Sequence, residues 1–252
     1  MENLMARFEM LNNVEHRDVR IRTQRSADTG DAVQYVVTFP LELRRAQAHY
    51  PIFFQKDSNT GQFFPIILLG FEKGENLFLG PNGWEPPYVP MSILRGPFLI
   101  GYQSNPEHPD GRQAVITIDM ESPLLTSAED GQPLFLEHGG STPYLENLTE
   151  LLEDIQLGLE MNAPFVGALT ENDLIENVTM SITLNDGAER QLLGLYTINE
   201  DRLNELDDAA VASLHKAGHL QSIYMIMASH SHFRAMIERR NAQLREPATG
   251  LG

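Results

Sequence analysis

An α+β fold, with an antiparallel-rich sheet and helices gathered mainly from the C-terminal half, follows from three features of the 252-residue chain. Before about residue 140, apolar and polar side chains alternate in short runs broken by Gly and Pro, the pattern of strands and turns. After Thr142 the apolar spacing changes to three and four, the period of helices. One later stretch, residues 178–198, returns to alternation around Asn185-Asp186-Gly187 and reads as a hairpin.

Taken along the chain, residues 18–23 alternate, and residues 33–39 are β-branched and aromatic, so both read as strands. Residues 41–50 carry Leu41, Leu43, Ala46 and Tyr50 at helical spacing, and Pro51 stops that helix. Two apolar strands flank a polar turn at residues 57–61. A short strand at 76–80 precedes "GWEPPYVP", which holds the only tryptophan. Pro86, Pro87 and Pro90 stiffen this segment into an extended loop that holds Trp84 and Tyr88 in place. Residues 90–101 predict a one-turn helix leading into a strand. Residues 105–111 form a loop, 113–120 a strand, and 131–140 a short strand ending in Gly139-Gly140.

Thr142 is an N-cap and Pro143 an N1 residue for a helix with Leu145, Leu148, Leu151, Leu152, Ile155 and Leu159 as its apolar stripe. Pro164 ends or kinks it, and residues 164–175 add a short helix. In the hairpin, Val178, Met180, Ile182 and Leu184 alternate, and the return strand is apolar on both faces, as a central strand is. Asn199 and Asp207 cap two short helices, the second closed by Gly218. A last helix covers residues 220–244, and residues 246–252 form a frayed tail. No linker separates the halves, so residues 1–252 read as one domain. A subdomain boundary, if there is one, falls near 140.

Composition narrows function. No apolar run approaches the ~20 residues that span a bilayer. The first 18 residues lack the basic start and apolar core of a secretory signal, and the chain has no cysteine, so a cytoplasmic location is expected. Residues 119–208 hold 20 acidic against 2 basic residues, which accounts for the whole of the net charge of −17. Such a surface repels phosphate backbones and excludes nucleic acid as a natural partner. It reads as a solvated face, open to a basic partner or loosely held cations. A second copy of the chain is a further partner the sequence leaves open.

Five ordered blocks carry a likeness: residues 37–79 leading into "GWEPPYVP", then "PLFLEHGGSTPYL", "LGLYTINEDRLNEL" and "HLQSIYMIMASHSHFRAMIERRN". Together they resemble the bacterial SapC family over nearly the whole chain. The resemblance implies association with a bacterial surface layer, or with nutrient uptake beside TonB-dependent receptors and halogenase-like and cupin-like proteins. It implies no catalytic set.

Candidate sites follow from the residues themselves. Trp84 and Tyr88 either plug the loop into the core or wall a site for a sugar, peptide or protein partner. His138, Gly139, Gly140 and Ser141 precede a helix N-terminus, where free N–H groups can hold an anion. His108 and Asp110, with His230 or His232 and Arg239 or Arg240, have the composition of an iron and 2-oxoglutarate site. The distal histidine falls on a helical pattern, however, where that chemistry uses a strand. His215 and His219 have the spacing of zinc ligands, but Gly218 lies between them. His49 and His138 read as structural histidines. No nucleophile elbow or phosphate loop is present. The expectation is a binding or accessory protein, for a protein partner or small ligand, with no metal or cofactor; an iron oxygenase is the alternative.

Overall fold

The structure is a computed structural model that describes residues 6–107 and 111–245. Its first half contains strands β1 (Phe8–Met10), β2 (Arg20–Ile21) and β3 (Tyr35–Val37), helix α1 (Pro40–Ala46), strands β4 (Ile52–Lys56), β5 (Phe63–Leu68), β6 (Leu79–Gly80) and β7 (Gly83–Trp84), helix α2 (Met91–Leu94), and strands β8 (Phe98–Ser104), β9 (Arg112–Asp119), β10 (Leu125–Thr126) and β11 (Gln132–Pro133). Helix α3 (Pro143–Glu171), the hairpin β12 (Ile175–Thr183) and β13 (Glu189–Ile198), and helices α4 (Glu200–Asn204), α5 (Asp208–Lys216), α6 (His219–Ser229) and α7 (His232–Arg245) follow. The class is α+β, and the strand pairs are antiparallel.

The larger sheet has the order β12-β13-β4-β5-β3. β4 and β5 are apolar on both faces, so they take the interior, with Ile52, Phe53, Phe54, Ile66 and Ile67 at most 2% exposed. Their connection is set locally. Asp57 Oδ1 accepts from the backbone N–H groups of Asn59 and Thr60, and Gly61 adopts a φ of 71°. β13 stands between β12 and β4, although it meets β4 at one residue pair, Tyr196 with Phe54. α6 packs on β4, β13 and α1 to seal the core. α1 stops at Ala46, earlier than its apolar spacing suggests. Pro51 disfavours helical geometry at Tyr50, and residues 47–50 form a turn instead.

A second sheet, β1-β9-β8, supplies Phe98 and Ile118 to a separate apolar cluster with Ile21, Leu124 and Leu134. α3 closes this cluster with Leu145, Leu148 and Leu152, and the main one with Phe165, Val166 and Leu169. Thr142 caps α3 as expected, its Oγ1 accepting from the Leu145 N–H. Pro164 does not end the helix, which runs on to Glu171. The carbonyl deprived of its donor belongs to exposed Glu160, where water can replace the bond.

The C-terminal apolar stripe also divides, giving α6 and α7 around His230 and Ser231. His230 Nε2 lies 3.1 Å from the Ile52 carbonyl, and Ser229 Oγ accepts from the Ile52 N–H at 2.9 Å. These bonds hold the junction against β4. The strands expected at 76–80 and 131–140 shrink to β6 and β11.

Candidate functional site

The proline loop is organised around a buried carboxylate. Glu42, on α1, is 1% exposed. Its Oε1 accepts from Tyr88 Oη at 2.7 Å and from the Met91 N–H at 2.6 Å, and its Oε2 accepts from Thr38 Oγ1 at 2.7 Å. Burial pushes the Glu42 carboxyl above its ordinary range, against the pull of these three donors and of Arg45. Trp84 Nε1 donates to Tyr50 Oη at 2.7 Å, and Tyr50 Oη donates to the Tyr88 carbonyl. Burial also raises the phenols of Tyr50 and Tyr88, so both stay protonated donors at neutral pH. Both loop aromatics are half-buried against the main core, with the Tyr50 and Trp84 rings edge to face and Tyr88 stacked on His49. Outside them, Glu85 pairs with Arg239, whose guanidinium covers the Phe78 ring at 5.1 Å.

The other expected residues lie elsewhere. His138 is exposed, and the 138–141 segment turns back through a bridge between Phe135 and Ser141 just before α3. The Gly139 carbonyl accepts from Asn13 Nδ2 at 2.8 Å, which ties the segment to the turn that follows β1. His108 and Asp110 lie outside the described residues. His230 is stacked on Phe53 at 4.8 Å and engaged by Ile52 and Thr197, while His232 Nε2 lies 3.0 Å from the Gln47 carbonyl. Gly218 takes a left-handed φ of 77° between His215 and His219. No group of three or more His, Asp or Glu is placed to hold a metal ion among the described residues.

The Glu42 network reaches a cleft that the sequence did not single out. By fixing the Met91 N–H, Glu42 anchors α2 at its first residue. Ser92 and Arg95 then line a cavity of about 580 Å³ between β8 and α3. Val37, Leu99, Ile100, Leu152, Ile155 and Leu159 supply apolar walls. Tyr102, Gln156 and Glu160 form a polar edge, with Gln156 Nε2 donating to Tyr102 Oη and, at 3.3 Å, to Glu160 Oε1. Ser92 Oγ donates to the Val37 carbonyl at 2.6 Å. Cavities of ~300–1,000 Å³ with apolar walls and a few polar groups are where small molecules bind. One sequence signal could have found it: Arg95 is a lone cation in the apolar run 90–101. The structure adds that Leu159, which continues the apolar stripe of α3, is 47% exposed.

A family model described as SapC matches residues 11–236 of the chain. No curated protein and no solved structure matches it.

Proposed function

The chain belongs to the SapC family, and from that premise we propose that it is a non-enzymatic binding protein, an accessory to a bacterial surface-layer or nutrient-uptake system, which holds a small amphipathic ligand between β8 and α3. The cleft carries the reading, because it joins a wide apolar wall to a narrow polar edge. Trp84 and Tyr88 serve this site as a brace rather than as its wall: through Tyr50 and Glu42 they fix α2, and α2 presents Ser92 and Arg95. The proposal gives residues 138–141 no part in binding. The surface-layer or uptake setting rests on the family resemblance. No described helix is long and apolar enough to cross a membrane.

The neutral dye N-phenyl-1-naphthylamine tests the site, since its fluorescence rises on entering an apolar cavity. Saturable one-to-one binding is expected, weakened at least about tenfold by Leu99→Trp, which fills the cleft. Leu159→Arg, on the exposed wall, is expected to weaken it likewise and carries less risk to folding. No saturable binding, or binding unaltered in both folded variants, refutes the proposal.

A further inference from the structure

Most half-buried arginines of this fold meet a carboxylate, whereas Arg20 and Arg95 meet only backbone carbonyls, and of these two Arg95 alone lines the β8–α3 cleft. Arg25 sits 3.4 Å from Asp31, and Arg240 sits 3.1 Å from Glu75. Arg95 is half-buried and has no carboxylate partner among the described residues. A guanidinium offers five N–H donors. One of them meets the Phe98 carbonyl at 3.0 Å, and the others find no acceptor among the described residues. Burial alone pushes Arg95 below its ordinary range, with no neighbouring charge offsetting it. A cation withdrawn from water without a counter-charge is costly, so its place on the wall of an open apolar cleft invites an explanation from what enters that cleft.

We infer that the β8–α3 cleft takes an organic acid with an apolar body, a medium-chain or aromatic carboxylate, and that Arg95 pairs with its carboxylate. This rests on the binding proposal above. The planar fork of a guanidinium matches the two oxygens of a carboxylate, and such charge-assisted pairs are roughly twice as strong as neutral hydrogen bonds. The apolar body lies along Leu99, Ile100, Leu152 and Leu159. One carboxylate, Glu160, stands on the polar edge of the cleft, where its Oε1 accepts from Gln156 Nε2 at 3.3 Å; repulsion from distant exposed carboxylates is screened beyond ~8 Å at physiological salt. The pairing at Arg95 is close and half-buried, so it is screened less.

Displacement of N-phenyl-1-naphthylamine by decanoate and by 1-decanol isolates the charge. Decanoate is expected to compete at least about tenfold more strongly than decanol. Arg95→Met should bring the two within about twofold, read as the ratio of acid to alcohol competition on the same protein, and Arg95→Lys should restore part of the preference. Equal competition by acid and alcohol on the parent protein, or a preference that survives Arg95→Met, overturns the inference and leaves the cleft as a binding site. Failure of the dye itself to bind removes the cleft reading and this inference with it.

Discussion

Truncating Glu42 to Ala is expected to leave three donors without their acceptor: the hydroxyls of Thr38 and Tyr88 and the backbone N–H of Met91. Thr38 is 0% exposed and Met91 is 8% exposed, so water reaches neither easily. Each orphaned buried donor costs about 1–3 kcal/mol. Some of that is recovered if water enters the space left by the side chain, so a loss of about 3–5 kcal/mol is expected from the three donors together. In a chain of this length that corresponds to roughly 10 °C in Tm, taking about 2–4 °C per kcal/mol. Glu42→Gln should behave differently. Its carbonyl oxygen still accepts from Tyr88 and Met91, and its amide donates to a Thr38 hydroxyl that turns to accept. It is expected to lose less than about 1.5 kcal/mol at neutral pH.

The pH dependence of Glu42 has a definite sign. A carboxyl raised by burial binds its proton more tightly in the folded chain than in the unfolded one. Its contribution to stability is therefore full below the unfolded value, ~4.3, and falls as pH rises through the folded value. The gap between parent and Glu42→Gln should close, or reverse, as pH rises across that window. Urea unfolding followed by Trp84 fluorescence reads the same loop, and circular dichroism supplies an independent probe. The reasoning fails if Glu42→Ala stays within about 1 kcal/mol of the parent at an unchanged m-value, or if Glu42→Gln falls as far as Glu42→Ala.

Two further outcomes are expected. At Gly158 an added Cβ would collide with the Phe39 ring, which is 0% exposed. Overpacking of about 1–3 kcal/mol should outweigh the ~1 kcal/mol that Ala contributes to a helix, so Gly158→Ala should melt below the parent, and an equal or higher Tm contradicts this close approach. Burial holds the imidazole of His230 below its ordinary range. Its share of stability is present above the unfolded value of ~6.5 and is lost as pH falls. His230→Asn should flatten the dependence of the urea midpoint between about pH 7.5 and 5.5, and parallel curves for parent and variant would show that this histidine does not set it.

Features fixed by neighbours in sequence were legible. The turn at Asp57, the caps at Thr142, Asn199 and Asp207, and the Asn185-Asp186-Gly187 hairpin each depend on residues within a few positions, and each forms where the sequence places it. Features fixed by distant partners were not. Glu42 looks like an ordinary helix-surface acid until Tyr88 and Met91 arrive from another segment. The break between α6 and α7 depends on a carbonyl in β4, which no spacing of apolar residues reports. The prolines of "GWEPPYVP" did identify a stiff loop, and Trp84 does pack against the core, but its hydrogen-bond partner Tyr50 could not be named from the loop alone. The cleft was least visible, because Leu159 obeys the same period as the buried residues before it and only its excess exposure marks it out.

α3 runs 29 residues, some 43 Å at 1.5 Å per residue. Leu148 is seated in one interior, Ile155 beneath Phe39 and Met91 in another, and Phe165 in a third. Its sequence therefore answers to several masters at once: a change that loosens one end alters the tilt with which the other end docks. Neither sheet could be trimmed away, or exchanged for a foreign one, without stripping the shared beam along half its length.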